Sequence, residues 1–184
     1  MLENKIQEII QQGLPLKLHL GCGPVIFDGY VNIDGNESSD PDSYVHDVSL
    51  AFPIPDNSVD EILTVHVIEH IDRRDIEQIF KEWIRILKPG GIVATEWPDM
   101  LKVCKEIVAN PEVLWSTDRA EMKRTMYLLF SNTIRYKDPA MRHVWGYSEE
   151  SLGKKFLEHG FSSWKAEDNL HRKTTNDSRV VAYK

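Results

Sequence analysis

The sequence is poor in cysteine and lacks long apolar runs. Cys22 and Cys104 are the only cysteines in 184 residues, and they form no C-x-x-C pair. This excludes a disulfide framework and a zinc-ribbon pattern, so we expect a reducing, cytoplasmic setting. No apolar run approaches the roughly 20 residues of a transmembrane helix, and charges interrupt the apolar positions of the N-terminal segment. We therefore expect neither a membrane span nor a signal peptide.

The sequence also lacks an excess of basic residues. Its formal net charge is −7, which provides no bulk attraction to nucleic acid or to anionic membranes. Residues 101–145 depart from this balance, because eight Lys/Arg against five Asp/Glu give this segment a charge of +3 and leave −10 elsewhere. The length and ordinary composition fit one globular domain over residues 1–184 that binds no nucleic acid.

Apolar periodicity indicates an α/β fold. Helices are predicted at residues 2–12, 73–87 (with Asp72 as the cap), within 100–130, and at 148–159 (with Ser148 as the cap). Strands are predicted at residues 16–20, 30–33, 44–46, 59–65, 92–95, 161–166 and 179–183. Because strands alternate with helices, we expect a mostly parallel sheet with right-handed crossovers.

Three features follow the ends of the first three predicted strands. Gly21 and Gly23 follow the first strand, where glycines let the backbone approach a ligand closely. Asp34 ends the second strand, where a carboxylate can accept the ribose hydroxyls of a nucleoside, and Asp47 ends the third, close to the expected adenine edge. Each feature alone also fits a turn or a cap. Together they converge on the crevice in which open α/β sheets bind ligands.

These motifs, in this order, resemble those of the small type 11 class I S-adenosylmethionine-dependent methyltransferases. The resemblance rests on LHLGCG (18–23), YVNID (30–34), FPIPDNSVD (52–60) with HVIEH (66–70), WIRILKPGG (83–91), and GYSEESL (146–152) with HGF (159–161). The LKPGG turn is the most specific piece, and the match spans about residues 16–164. The resemblance implies a Rossmann-like, doubly wound sheet of seven strands, one of them antiparallel.

The resemblance also implies S-adenosyl-L-methionine as cofactor and S-adenosyl-L-homocysteine as product. By this resemblance Gly21 and Gly23 face the methionine part of the cofactor, Asp34 the ribose, and Asp47 with Val48 the adenine. The implied cofactor-binding set also includes His66 beside the cofactor, His19 and Cys22. The sequence departs from the family in two ways. His19 stands where the family often has an acid, and Asp34 follows Gly21 by only 13 positions, against roughly 20 in the usual dinucleotide fingerprint. We therefore expect the first crossover helix to be shortened to about one turn near residues 25–28.

Residues 66–70 have a second interpretation. They match H-x-x-E-H, the zinc motif of inverzincin peptidases, in which two histidines share one helix face. That chemistry requires the whole motif inside a helix and a third ligand elsewhere, whereas His66 directly follows a predicted strand. No metal ligand is therefore assigned from the sequence. A protein that binds the cofactor without transferring a methyl group is the other alternative hypothesis.

The methyl acceptor is the least determined part of the interpretation. The net positive segment 101–145, expected to be a helical lid, favours a small anionic acceptor such as a phosphate or a carboxylate, although a solvated helix would carry similar charges. The candidate acceptor contacts are Arg135, Lys137, Arg142 and His143. The candidate bases for a hydroxyl or amine acceptor are His66, His70, Asp99 and His143.

Overall fold

A computed structural model describes residues 1–36, 42–114, 119–131, 141–171 and 174–184, without the side chains of residues 119–124. The strands are β1 (Lys17–Leu20), β2 (Val31–Asp34), β3 (Ser43–Val45), β4 (Val59–Val65), β5 (Leu87–Pro98), β6 (Ser163–Glu167) and β7 (Asp177–Tyr183). They form one sheet of order β3-β2-β1-β4-β5-β7-β6. The first five strands pair in parallel, and β7 is antiparallel to both of its neighbours. This confirms the predicted seven-stranded α/β sheet.

The helices are α1 (Leu2–Gln11), α2 (Ile76–Ile86), α3 (Met100–Ala109), α4 (Arg119–Phe130) and α5 (Glu149–Glu158), with 3₁₀ turns at Ile68–His70 and Pro111–Leu114. Ser148 caps α5 in a capping box with Ser151, which confirms that cap. The α2 cap was predicted wrongly. The Asp72 carboxylate instead binds the backbone N–H and the guanidinium of Arg74, and α2 begins only at Ile76. None of the helices in the described ranges is long and apolar enough to cross a membrane.

The main hydrophobic core lies on one face of the sheet. The buried apolar side chains of α1, α2 and α5 belong to it, and the rings of Phe80 and Phe156 stack there with their centroids 4.5 Å apart. The opposite face has a small cluster of Leu63, Ala94 and Val181. Helices therefore cover the two faces unequally, because the connection between β1 and β2 is too short to carry one.

That connection contains turns and no helix, so the helical turn expected near residues 25–28 is wrong. Buried Asn32 organises the connection in its place. Its Oδ1 accepts the N–H of Phe27 at 3.0 Å, and its Nδ2 donates to the carbonyls of Phe27 and Tyr30, each at 3.2 Å. The side-chain amide of Asn32 thus stabilises the turns that stand in place of a crossover helix.

Strand β5 is longer than the predicted strand at 92–95, because the LKPGG segment remains bonded to the sheet. Lys184 donates its backbone N–H to the carbonyl of Gly91 at 3.0 Å and accepts the N–H of Gly90 at 3.2 Å. The Lys184 ammonium donates to the carbonyls of Ile84 and Leu87 at the end of α2. The motif therefore joins a helix end to a strand start.

Candidate active site

A pocket of about 700 Å³ opens at the carboxyl ends of β1 and β4. The glycine-containing loop at residues 21–25 forms one wall, and Tyr127 and Leu128 of α4 form part of another. Five histidines line the pocket: His19, His66, His70, His143 and His171. Of the implied cofactor-binding residues, the structure brings His19, Gly21, Cys22, Gly23 and His66 into this pocket.

The glycine loop shows why two of its positions are glycine. Gly21 has φ +67°, and a Cβ there would lie 2.4 Å from Val67 Cγ2, so no larger residue fits without displacement. Gly23 has φ +51°, but a Cβ there would meet nothing within 4 Å. The space beside Gly23 is therefore open to a ligand that approaches the backbone.

Asp34 joins the end of β2 to this loop. Its Oδ2 accepts the N–H of Gly23 at 2.8 Å, and its Oδ1 accepts the N–H of Asn36 at 2.9 Å. A carboxylate oxygen can accept more than one hydrogen bond, so both oxygens keep acceptor capacity for neighbouring hydroxyls. Asp34 can thus shape the loop and bind a vicinal diol at the same time.

Asp47 and Val48 lie beyond the pocket, at the neighbouring end of β3. The exposed carboxylate of Asp47 accepts the backbone N–H and the hydroxyl of Ser49 at 2.9 and 2.7 Å, and these bonds lower the pKa of Asp47. Val48 packs against the main core. The N–H of His46 donates to the carbonyl of Asp34 at 2.8 Å, so the Asp47 segment runs beside the end of β2.

His19 is a buried pocket residue with a defined tautomer. Its Nδ1 lies 3.0 Å from Asn32 Oδ1, and that oxygen only accepts, so Nδ1 carries the proton and Nε2 keeps a lone pair. Burial lowers the pKa of His19, which favours the neutral ring. The ring lies 4.6 Å from Phe27, which in turn lies 4.5 Å from His171. A neutral acceptor therefore occupies the position at which the family often has an acid.

His66 occupies a sharp corner between β4 and the following 3₁₀ turn. Its φ is +57°, and its N–H donates to the carbonyl of Glu96 at 2.8 Å. The imidazole lies between two buried carboxylates, with Nδ1 3.3 Å from Glu69 Oε1 and Nε2 3.4 Å from Asp177 Oδ2. Because the chain turns here, residues 66–70 do not form the single helix that the inverzincin interpretation requires.

Glu69, His70 and His143 form a cluster, and the two histidines line the pocket. The carbonyl of Glu69 accepts the N–H groups of Val144 and Trp145, which brings the 141–145 segment to the end of β4. His143 Nε2 then lies 3.9 Å from Glu69 Oε1, and the rings of His70 and His143 are 4.9 Å apart. Burial lowers the pKa of His143, and the Glu69 carboxylate opposes that shift.

Asp99 does not belong with these residues, and its expected role as a base is corrected. It is buried at the start of α3, where one oxygen accepts the N–H groups of Leu101 and Lys102 at 2.8 and 3.0 Å. The other oxygen accepts the N–H of Glu149 and the hydroxyl of Ser178 at 3.1 and 2.9 Å. With both oxygens occupied, Asp99 caps a helix and does not line the pocket.

The expected basic acceptor contacts receive little support. Arg135 and Lys137 lie outside the described residues. Arg142 is described, and it contributes its backbone carbonyl to His70 Nδ1 at 3.0 Å. Within the described ranges, no lysine or arginine lines the pocket.

Glu96 holds one wall of the pocket, although the sequence interpretation assigned it no role. It is fully buried, and Oε1 accepts from the Arg179 guanidinium at 2.9 Å and from the N–H of Leu170 at 2.9 Å. The N–H of His171 donates to Oε2 at 3.0 Å. An acidic residue in an otherwise apolar strand is the signal that could have identified it.

Comparison with known proteins agrees with this geometry. Residues 29–95 match the family model described as Methyltransferase domain. An S-adenosylmethionine-dependent methyltransferase from Archaeoglobus fulgidus has a TM-score of 0.62 at 16% identity, over 100% of this chain and 95% of that one. Another from Mesorhizobium loti has a TM-score of 0.58 at 13% identity, over 100% of both chains. No curated protein sequence matches.

These similarities and the strand order both indicate a methyltransferase fold. At such low identity, the two structures are evidence for the fold, and the family model adds the sequence pattern of residues 29–95. Both of these structures are described as methyltransferases that depend on S-adenosylmethionine. The chain thus has the fold of the S-adenosylmethionine-dependent methyltransferases, and its residues 29–95 match the methyltransferase domain family.

Proposed function

We propose that the protein transfers the methyl group of S-adenosyl-L-methionine to an oxygen or nitrogen atom of a small acceptor. The observation that carries the proposal is one pocket that is lined both by the glycine loop and by His70 and His143. A cofactor on the loop would direct its methyl group along this pocket towards those imidazoles.

The cofactor placement follows from the strand ends. The backbone beside Gly23 is open to the methionine part, with the lone pair of His19 Nε2 and the ring of His66 close by. Asp34 would accept the ribose hydroxyls, and the segment of Asp47 and Val48 would flank the adenine.

Methyl transfer requires little covalent chemistry from the protein. The methyl group of a sulfonium is already electrophilic, so the protein's contribution is in-line positioning of the acceptor and exclusion of water. A hydroxyl or amine acceptor must also lose a proton. His70 and His143 each direct Nδ1 to a backbone carbonyl and keep Nε2 available for that proton.

We propose segment 101–145 as the lid of the acceptor end, within a single domain. Tyr127, Leu128 and Met141 support this because they line the same pocket as His70 and His143. An anionic acceptor stays a prediction that depends on Arg135 and Lys137. The described lining, which has imidazole, phenol and apolar groups, favours a small uncharged or aromatic acceptor equally well.

The direct test is acceptor-dependent formation of S-adenosyl-L-homocysteine over a panel of small carboxylates, phosphates, phenols and amines. His143→Asn should lower kcat by about 10²–10⁴-fold, since it removes the Nε2 lone pair. His159→Asn is the matched control and should leave kcat unchanged, because His159 bonds a carbonyl in the same way but does not line the pocket. Cofactor binding without turnover on any acceptor would favour a binding protein instead.

A further inference from the structure

The cluster of Glu69, His70 and His143 has the donor atoms of a metal site. Each residue offers one ligand atom, and these atoms all lie within 4.8 Å of one another. The three side chains come from two distant segments, the 3₁₀ turn after β4 and the stretch that follows α4. Only Glu69 and His70 of the H-x-x-E-H sequence belong to this cluster, and His143 supplies its third ligand atom.

Both imidazoles are held in the tautomer that a metal requires. His70 Nδ1 lies 3.0 Å from the carbonyl of Arg142, and His143 Nδ1 lies 2.9 Å from the carbonyl of Leu128. A carbonyl oxygen only accepts, so both Nδ1 atoms carry the proton and both Nε2 atoms present a lone pair. Metal-binding histidines characteristically bond a carbonyl or a carboxylate through the nitrogen that does not ligate.

The Glu69 carboxylate is a second and independent indication. Its side chain is 2% exposed, and within the described ranges neither carboxylate oxygen receives a hydrogen bond. The nearest polar atoms are imidazole nitrogens, His66 Nδ1 at 3.3 Å and His143 Nε2 at 3.9 Å. A buried carboxylate with so little compensation is costly, and a cation beside it removes that cost.

We propose that Glu69, His70 and His143 bind one divalent transition-metal ion, with Zn²⁺ as the probe, at the acceptor end of the pocket. Two neutral imidazoles and one carboxylate form the donor set of catalytic zinc sites, which keep a fourth position open. Zn–N bonds of about 2.0–2.1 Å place tetrahedral ligand atoms roughly 3.3 Å apart. The Glu69 to His143 distance of 3.9 Å is close to that value.

The open position would face the space assigned to the methyl acceptor. A bound cation lowers the pKa of a coordinated hydroxyl, so that the hydroxyl can release its proton to solvent water without His70 or His143 acting as the base. In this arrangement the two histidines are ligands, and Glu69 can still accept from His66 through its second oxygen. The site itself does not depend on methyl transfer, because cation binding is measured without cofactor or acceptor.

The test is competition titration of the metal-free protein with Zn²⁺ against a chelating dye, together with the visible spectrum of the Co²⁺ form. His70→Asn and His143→Asn remove Nε2 but place an amide N–H where Nδ1 bonds the carbonyl, so the local structure is preserved. Glu69→Gln removes the carboxylate. His159→Asn is the control, since His159 Nδ1 also bonds a backbone carbonyl, that of Lys155 at 2.8 Å, but lies outside the cluster.

We expect one equivalent of Zn²⁺ per chain in the wild type and in His159→Asn. Each cluster variant should bind Zn²⁺ at least 100-fold more weakly than the wild type. Loss of a residue that only hydrogen-bonds a ligand typically weakens binding roughly 10–100-fold, and loss of a ligand itself should cost at least the upper end of that range. The Co²⁺ spectrum of the wild type should show a low-symmetry nitrogen and oxygen environment. Wild-type protein that binds no more tightly than the His143 variant, or binding unaffected by all three cluster variants, would overturn the proposal.

Discussion

Asp34 Oδ2 accepts the backbone N–H of Gly23 at 2.8 Å, so the acid at the end of β2 directly shapes the loop at the end of β1. The two motifs therefore act as one unit. The carboxylate fixes the direction of the loop, and the loop leaves open space where a Gly23 side chain would be.

Gly23→Ala and Gly29→Ala separate ligand exclusion from backbone strain. Both glycines have positive φ, +51° and +81°, and a Cβ at either position meets nothing within 4 Å. Each substitution should therefore lower the free energy of unfolding by about 1–2 kcal/mol. Only Gly23 lines the pocket, so only its variant should also weaken S-adenosyl-L-methionine binding, as measured by calorimetry. Equal affinities of the two variants would place the cofactor elsewhere.

Asn32→Ala should remove the side-chain hydrogen bonds that hold the β1–β2 connection. It leaves the buried ring of His19 and the partly buried backbone groups of Phe27 and Tyr30 without their bonds, and we expect a loss of about 3 kcal/mol in a urea unfolding experiment. Asn36→Ala is the control, because Asn36 is exposed and bonds Asp34 only through its backbone N–H. A loss of under about 0.5 kcal/mol for Asn32→Ala would show that the turn holds without the amide.

Glu96→Gln and Glu167→Gln test the two partners of one guanidinium. Arg179 donates to fully buried Glu96 at 2.9 Å and to the more exposed Glu167 at 3.3 Å. Removing the buried charge should cost about 3–5 kcal/mol, because Arg179 stays buried with less compensation. Removing the charge of Glu167 should cost less than about 1 kcal/mol. Thermal unfolding of the two variants measures which loss of stability is larger, and losses of similar size would contradict this prediction.

Acid should destabilise the protein through His19. Burial holds the folded-state pKa of His19 below its ordinary value of 6.5, so the unfolded chain binds the proton first. The stabilising contribution is complete above pH 6.5 and is lost as the pH falls through the folded-state pKa. His19→Asn keeps a donor near Asn32 but cannot titrate, so its unfolding free energy should fall less steeply below pH 6.5. Parallel pH profiles of the variant and the wild type would contradict this assignment.

The sheet could be predicted from the sequence because its signals are local. The strand predicted at 59–65 matches β4 residue for residue, and Ser148 caps α5 as the pattern indicates. The start of α2 was missed because Asp72, which has the right residue type for a cap, pairs with Arg74 instead. Competition between a cap and a short-range ion pair leaves no trace in apolar periodicity.

Only the part of the site that lies next to the strand ends could be predicted from the sequence. Gly21, Gly23 and Asp34 stand next to strand ends, so the strand pattern alone brings them together. His143 reaches Glu69 only because two backbone N–H groups bond the Glu69 carbonyl across 75 positions of sequence, and no spacing rule reports this contact. For Asp99 the strand pattern is misleading. Asp99 directly follows the end of β5, as a site residue would, but its side chain caps helix α3.

Calorimetric titration with S-adenosyl-L-methionine and S-adenosyl-L-homocysteine tests the central claim most directly. Wild type should bind both at one equivalent, and Asp34→Ala should weaken binding about ten- to a hundredfold, or roughly 1.5–3 kcal/mol, because the ribose bonds are lost. Asp28→Ala, the same change at an exposed acid of the neighbouring turn, should bind like wild type. Folded wild type that binds neither compound, or equal affinities in the two variants, would contradict the account.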